Sequence, residues 1–248
     1  MERWAQHFDG YRGLVEGRPV AFVIDLEAAA HAPLATHPLL VRVSIPVTDA
    51  TGDGLPTDAE AARLDAVEDE VVDALETQVD AVYVGRRIHA GGWELAFYVP
   101  AQHKDDVLAR GAASPHRWTV TDDPTWRYHD ALQPDAYARQ AIDNRRTLAQ
   151  LAAAGDPGVA PRRIEHLAYF PSEAAADGAC AALRGVGFTC DDVLGDRDDA
   201  DDRECWALEF HRVDAPAAGG ADRFTREILD AILPFDGSYD GWSAEPVA

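Results

Sequence analysis

The densest run of side chains that could do chemistry is acidic and lies late in the chain. Asp191 and Asp192 are followed by the segment 196–204, which is Asp-Arg-Asp-Asp-Ala-Asp-Asp-Arg-Glu. Carboxylates at alternating positions can ligate Ca²⁺ or Mg²⁺. An EF-hand loop also needs a glycine and a distant glutamate, whereas Ala200 interrupts one alternating series here and Arg203 the other. We therefore predict no metal site and no cofactor, and interpret the segment as a solvated loop between two strands.

The nine histidines are the other residues that could act as bases or ligands. No two of them have the His-x-x-x-His or His-Glu-x-x-His spacing that puts two ligands on one helical face. His166 and His211 fall on predicted strands, where they could face each other across one sheet. The sequence also has no Gly-x-Ser-x-Gly elbow, Walker A loop or dinucleotide-binding fingerprint. We therefore predict that the protein is not an enzyme.

The charge balance restricts the kind of partner. The chain has 44 acidic residues against 22 lysines and arginines, a formal net charge of −22. Such a surface repels a phosphate backbone, so we predict no direct binding of nucleic acid. The same surface attracts basic patches on other proteins. Solubility, or adaptation to high salt, is an alternative reason for the acidity.

Cysteines and hydropathy indicate the compartment. Cys180, Cys190 and Cys205 form no Cys-x-x-Cys pair and are predicted to be buried, reduced thiols. The N-terminal residues lead into a polar stretch without the apolar core of a signal peptide. No apolar run approaches the length of a membrane span. We expect a cytoplasmic protein without a membrane partner.

The elements that position the acidic residues follow a regular order from Arg162 onward. The pattern predicts a strand at 163–170, a helix capped by Ser172, strands at 188–190 and 205–210, a helix at 224–232 and a strand at 239–242. This βαββαβ order is typical of a ferredoxin-like fold.

The final strand carries the tetrad Tyr239-Asp240-Gly241-Trp242. With Tyr169-Phe170, Gly187-Phe188 and Trp206, it makes the last third of the chain resemble the RraB family, small acidic bacterial proteins that bind ribonuclease E and inhibit it. The resemblance implies a non-catalytic protein with a ribonuclease E-type enzyme as its partner. The chemistry of the tetrad itself favours Tyr239 and Trp242 as residues of the interface between sheet and helices, and Asp240 as the surface contact.

The predicted partner-binding residues combine the tetrad with the acidic loop. They are Asp198, Asp199, Asp201, Asp202, Tyr239, Asp240 and Trp242. An acidic loop suits an arginine-rich segment of a partner. A loop that is merely solvated remains the alternative.

The first half of the chain mixes strands with one long helix. Strands are predicted at 20–26, 39–45, 82–85, 93–99 and 118–120. Thr57 and Glu60 form a predicted capping box for a helix whose other face, including Glu68, is charged. Gly54-Leu55-Pro56, Glu60, Leu64, Glu68-Asp69 and Phe97-Tyr98 resemble a bacterial domain of unknown function of the DUF695 type, found alone and fused to RraB-like domains.

We therefore predict an α+β protein of two domains. A mixed sheet-and-helix domain covers 1–133, a linking helix and linker cover 134–159, and a ferredoxin-like domain covers 160–248, with the break at Gly155-Asp156-Pro157-Gly158. The predicted function is that of an acidic regulator that binds a protein and modulates RNA turnover. The alternatives are an enzyme with a pocket between the domains, lined by histidines and tryptophans, and a general interaction scaffold.

Overall fold

The computed structural model describes residues 4–15, 17–89, 91–191, 193–198 and 203–247. Contacts divide the chain into two compact units, Met1–Pro134 and Asp135–Ala248. Each unit has its own antiparallel sheet and its own hydrophobic core. The α+β class predicted from the sequence is confirmed.

The first unit is a six-stranded antiparallel sheet with helices. Its strands are β1 Phe8–Val15, β2 Arg18–Asp25, β3 Leu39–Pro46, β4 Val82–His89, β5 Gly92–Val99 and β6 Arg117–Asp122, in the order β1-β2-β4-β5-β3-β6. Its helices are α1 Asp58–Val79, α2 Lys104–Ala113 and α3 Arg127–Ala131.

Helix α1 begins and is anchored in a way that the sequence predicts only in part. The Thr57 side chain accepts a hydrogen bond from the Glu60 amide, as a capping box requires. The Glu60 carboxylate, however, accepts from the Thr48 amide at 2.7 Å. Glu68, predicted to lie on the solvated face, is buried and accepts from the Tyr83 hydroxyl and the Trp93 indole, each at 2.7 Å. Glu68 therefore ties the helix to the sheet, and Glu60 ties its start to the segment that follows β3.

The second unit contains three helices and the second sheet. Its elements are α4 Ala136–Ala153, β7 Arg162–Phe170, α5 Glu173–Gly185, β8 Thr189–Cys190, β9 Leu194–Asp198, β10 Arg203–Asp214, α6 Gly220–Ile232 and β11 Ser238–Ser243. The sheet order is β11-β7-β10-β8, and β9 pairs with β10.

The core of this unit lies between the sheet and its helices. Alternation along β7 turns Ile164, His166, Ala168 and Phe170 into the core, where they meet Phe210 of β10. The helices contribute apolar residues at helical spacing, namely Ala176, Ala179, Cys180 and Leu183 of α5 and Phe224, Ile228, Leu229 and Ile232 of α6.

Strand β9 corrects the prediction of a loop for part of the acidic segment. Asp198 is aligned with Arg203, and Asp196 with Cys205, in an antiparallel hairpin. Asp and Arg are not strong strand formers, so pairing with β10 outweighs the local preference. Asp199, Asp201 and Asp202 lie outside the described residues.

Helix α4 belongs to the second unit, and the buried side-chain amide of Asn144 joins it to the other elements. Asn144 is 1% exposed, and its Oδ1 accepts from Trp242 Nε1 at 2.9 Å and from Gln140 Nε2 at 3.0 Å. Its Nδ2 donates to Asp222 at 2.8 Å and to Thr225 at 3.0 Å. Both acceptor sites and both donor hydrogens of the amide are therefore used. The helix predicted to link two domains is fastened to α6 and β11.

The turn after α4, predicted as the linker, is also fixed. Asp156 is 2% exposed and accepts from the Gly158 amide at 2.7 Å and the Val247 amide at 2.9 Å. Arg162 at the start of β7 donates to both of its oxygens. The Arg162 guanidinium first, and then the Val247 amide, hold the pKa of Asp156 well below its usual range.

Two of the three cysteines have the burial that the sequence predicts. Cys180 and Cys190 are buried free thiols, and burial raises the pKa of Cys190 to about 12. Cys205, predicted to be buried, is half-buried. In the part of the chain that the structure describes, no helix is both long and apolar enough to cross a membrane.

Candidate functional site

The tetrad in β11 forms a β-bulge. The aligned pairs are Tyr239 with Ala168, Gly241 with Leu167, and Trp242 with His166, with a shift of register between Tyr239 and Gly241. Residues three apart on a regular strand face opposite sides, so the extra residue brings both aromatic rings to the face that the helices cover. Gly241 has φ +137°, a conformation that favours glycine. Asp240 is left exposed at the edge of the sheet.

Tyr239 is joined to a buried histidine. Its hydroxyl lies 2.7 Å from Nδ1 of His166, which is 3% exposed and in contact with the rings of Phe188, Phe210 and Phe224. Burial first, and then electrostatic repulsion from Arg212, lower the pKa of His166 to about 3. Burial also raises the pKa of Tyr239 well above its usual value. Both groups are therefore neutral at pH 7.

His211 does not face His166, contrary to the prediction. The residue of β10 aligned with His166 is Phe210, whereas His211 is aligned with Glu165. Adjacent residues of a strand point to opposite faces, so His211 lies on the side of the sheet away from the helices. Its ring is 3.8 Å from the carboxylate of Asp191.

Trp242 packs in the core. It is 8% exposed, its indole donates to Asn144, and its ring meets Phe224 edge-on at 5.5 Å between centroids. Tyr239 and Trp242 thus fix the bulge from inside the unit. Their predicted role in partner contact stays a prediction, and Asp240 is the exposed polar member of the tetrad.

Beside the bulge lies a cleft of about 460 Å³ lined by carboxylates from four elements. They are Asp143 of α4, Glu165 of β7, Glu209 of β10 and Asp240 of β11. Glu209 is aligned with Leu167, which is in turn aligned with Gly241, so this row lies on the face away from the helices. We name this feature the acidic cleft. Among the described residues, no lysine or arginine lines it.

Two of the four carboxylates are balanced by arginines and two are not. Asp143 is 3.6 Å from Arg146, and Glu165 pairs with Arg163. Glu209 and Asp240 make no ion pair with any residue that the structure describes. Within the same ranges, no group of three or more histidines, cysteines and carboxylates is placed to hold a metal ion.

This arrangement suits a cationic side chain of another molecule. Two uncompensated carboxylates can accept charge-assisted hydrogen bonds from a guanidinium or an ammonium group. Half-buried Leu167 between them offers apolar contact to the methylene stem that such side chains carry.

Sequence reasoning found Asp240 but missed the other three carboxylates of the cleft. Glu165 and Glu209 could have been found from the alternation of β7 and β10, because each stands between two core residues. Asp143 carries no such signal, since its place depends on how α4 packs. Asp198, at the end of β9, is aligned with Arg203 of β10. Arg203 and Glu209 are six residues apart on β10, a distance of roughly 20 Å along an extended strand.

The fold and the cleft define an acidic α+β protein with a carboxylate-lined surface site. The comparison with known families covers both units of the chain. Residues 141–244 match the family described as Regulator of ribonuclease activity B (RraB), so this region is similar to a family of ribonuclease regulators. Residues 6–132, just over half of the chain, match the Family of unknown function (DUF695), and the chain belongs to that family. Both predicted resemblances are confirmed. No curated protein matches the chain.

Proposed function

We propose that the chain is a non-catalytic regulator that binds a ribonuclease E-type endoribonuclease and restrains RNA turnover in the cytoplasm. The RraB match covers all four carboxylates of the acidic cleft, from Asp143 to Asp240. The observation that carries the proposal is the cleft itself, in which Glu209 and Asp240 are uncompensated. The proposed ligand of the cleft is an arginine or lysine in a basic segment of the enzyme.

The energetics require several contacts. An exposed ion pair contributes only about 0.2–1 kcal/mol. A chain with net charge −22 nevertheless accelerates the encounter with a basic segment, and rim charges act mainly on the association rate. Affinity then has to come from the cleft together with neighbouring carboxylates.

The predicted acidic loop is retained in this proposal as a second contact. Asp198 would meet a basic residue about 20 Å from the cleft, and Asp199, Asp201 and Asp202, which follow it in the sequence, are proposed to share this contact. A partner segment of roughly six extended residues is long enough to reach both. Tyr239 and Trp242 contribute by holding the bulge that exposes Asp240.

We also infer that the second unit is ferredoxin-like. The strands β7, β8, β10 and β11 with helices α5 and α6 give the βαββαβ order, and the antiparallel sheet order β11-β7-β10-β8 supports that arrangement. Helix α4 and hairpin strand β9 would be additions to it.

The proposal is tested by measuring the affinity of the full chain for a purified ribonuclease E-type enzyme from the same bacterium. Glu209→Gln with Asp240→Asn should weaken binding about 2- to 30-fold, since two pairs of roughly 0.2–1 kcal/mol each are lost. The variant should also show a weaker dependence of affinity on salt. The matched control is Glu173→Gln with Asp177→Asn on α5, which removes the same charge from exposed positions on the opposite side of the sheet.

The outcomes separate the cleft from the overall charge. A loss confined to the cleft variant supports the proposal. Equal losses in both variants would mean that net charge, and not the cleft, determines binding. Failure of the unmodified chain to bind the enzyme at all, or to slow its cleavage of RNA, would refute the proposed function.

A further inference from the structure

The first unit contains a second group of polar residues, on the face of its sheet opposite α1. Trp93 of β5 points toward α1, where it donates to Glu68, so its neighbour Glu94 points to the other face. Ser44 of β3 and Arg87 of β4 are both aligned with Glu94 in the register. Arg42 lies two residues before Ser44 and therefore on the same face.

Glu94 holds two arginines in place. It is 5% exposed, and its Oε1 accepts from Arg87 Nη2 at 3.0 Å and from the Tyr128 hydroxyl. Its Oε2 is 3.6 Å from Arg42 Nη1 and 3.5 Å from the Ser44 hydroxyl. One carboxylate thus stands between two guanidinium groups, and the three side chains together carry one positive charge. That sign is opposite to the net charge of the chain.

The hydrogen-bonding capacity of the two arginines is largely unused. Arg42 makes no side-chain hydrogen bond with any residue in the described ranges, and its guanidinium lies 5.3 Å from the centre of the Tyr128 ring. The Nε atoms of Arg42 and Arg87 are both buried without a partner in those ranges. By contrast, Arg63 uses both Nε and Nη2 on Glu60. A guanidinium offers five donors, and unpaired buried donors are costly.

The surrounding backbone keeps this group rigid. Asp123 accepts from the Tyr98 hydroxyl at 2.7 Å and from the Tyr128 amide at 3.0 Å. Trp126, stacked on Tyr98 at 4.0 Å between centroids, has φ +55°, which is unusual for a bulky residue. Strained backbone of this kind persists where the surroundings enforce it, and it occurs preferentially at binding sites. Tyr128 is therefore fixed beside Arg42 before any ligand arrives.

We propose that Arg42 and Arg87 form a binding site for a small oxyanion, a carboxylate or a phosphate group. Glu94 already orients the two guanidinium groups, and the Nη donors of Arg42, which make no hydrogen bond in the described ranges, supply the fork that matches two oxygens. Both arginine side chains are partly exposed, at 29% and 27%, so an anion can reach them from solvent. The acidic surface of the chain weakens binding of any anion, so the selectivity has to come from this geometry.

The test uses the full chain labelled with ¹⁵N and the Nε–Hε signals of its arginines. Inorganic phosphate and acetate are titrated separately at constant ionic strength. We expect the Arg42 and Arg87 signals to shift saturably with at least one of the two anions. The anion that causes the shift shows whether the site binds a phosphate or a carboxylate group. Arg42→Gln should weaken the affinity for the anion, measured from the Arg87 signal, about tenfold or more, because a charge-assisted fork is lost. The matched control, Arg63→Gln, should leave it unchanged.

Further outcomes decide the inference. Arg42→Lys keeps the charge without the fork and is expected to give an intermediate affinity; it also replaces Arg42→Gln should that variant not fold. A shift that grows linearly with anion concentration, or equal affinities for the unmodified chain and both Arg42 variants, would overturn the proposal.

Discussion

The buried pair of His166 and Tyr239 leads to a prediction about stability and pH. His166 has a pKa of about 3 in the folded protein, against an ordinary value of 6.5. Between these values the unfolded chain binds a proton that the folded chain does not, so stability rises with pH and is lost as the pH falls below 6.5. Lowering the pH from about 7 to about 4.5 should cost about 2–3 kcal/mol of stability through this residue alone.

The perturbation that isolates this effect is His166→Phe combined with Tyr239→Phe. Removing both partners of the 2.7 Å hydrogen bond leaves no unpaired polar group among Phe188, Phe210 and Phe224. All other titrating groups remain, so the difference in pH dependence between this variant and the unmodified chain belongs to His166. The control, Tyr239→Phe alone, keeps a buried histidine and should keep the steep pH dependence.

Urea unfolding followed through amide resonances of β7 measures the second unit separately from the first. We expect the free energy of unfolding of the double variant to fall less than that of the unmodified chain between about pH 7 and 4.5, by about 2–3 kcal/mol. Identical pH slopes in the two proteins would refute the reasoning, because they would mean that His166 is protonated as easily in the folded as in the unfolded state.

Three further predictions concern the same unit. Trp242→Ala should lower its free energy of unfolding by about 3–5 kcal/mol, and a loss of partner binding at unchanged stability would instead place this residue on the contact surface. Asp156→Asn should lower the free energy of unfolding at neutral pH. The difference in stability between this variant and the unmodified chain should shrink as the pH falls below the ordinary carboxyl pKa of 3.8, because the stabilisation by a depressed pKa is complete above that value and is lost below it. A stability difference that does not depend on pH would contradict this prediction. The fragment 135–248, which keeps the hydrogen bond between Asn144 and Trp242, should unfold cooperatively and at a higher urea concentration than the fragment 160–248. Equal urea midpoints for the two fragments would mean that the folded unit begins at residue 160.

The sequence by itself determined the elements whose pattern is local. Alternation identified β7 because every second residue from Ile164 to Phe170 enters the core, and helical spacing identified α6 for the same reason. The tetrad at 239–242 indicated the last strand and the resemblance to RraB. It is a local signal because the bulge needs a glycine at positive φ beside the two aromatic residues. Periodicity reports which face an element buries, and it reports nothing about what the other face meets.

Only the tertiary structure decided which distant residues come together. Glu68 looks solvated in the pattern of α1, yet it is buried because two donors on the sheet lie within 2.7 Å of it. The turn at Asp156 looks like a linker, yet an arginine and a C-terminal amide enclose its carboxylate. The acidic cleft draws one carboxylate from each of four elements, and the unused donors of Arg42 become visible only once its neighbours are known. Charge and hydrogen-bonding partners depend on distances in space, which spacing along the chain does not specify.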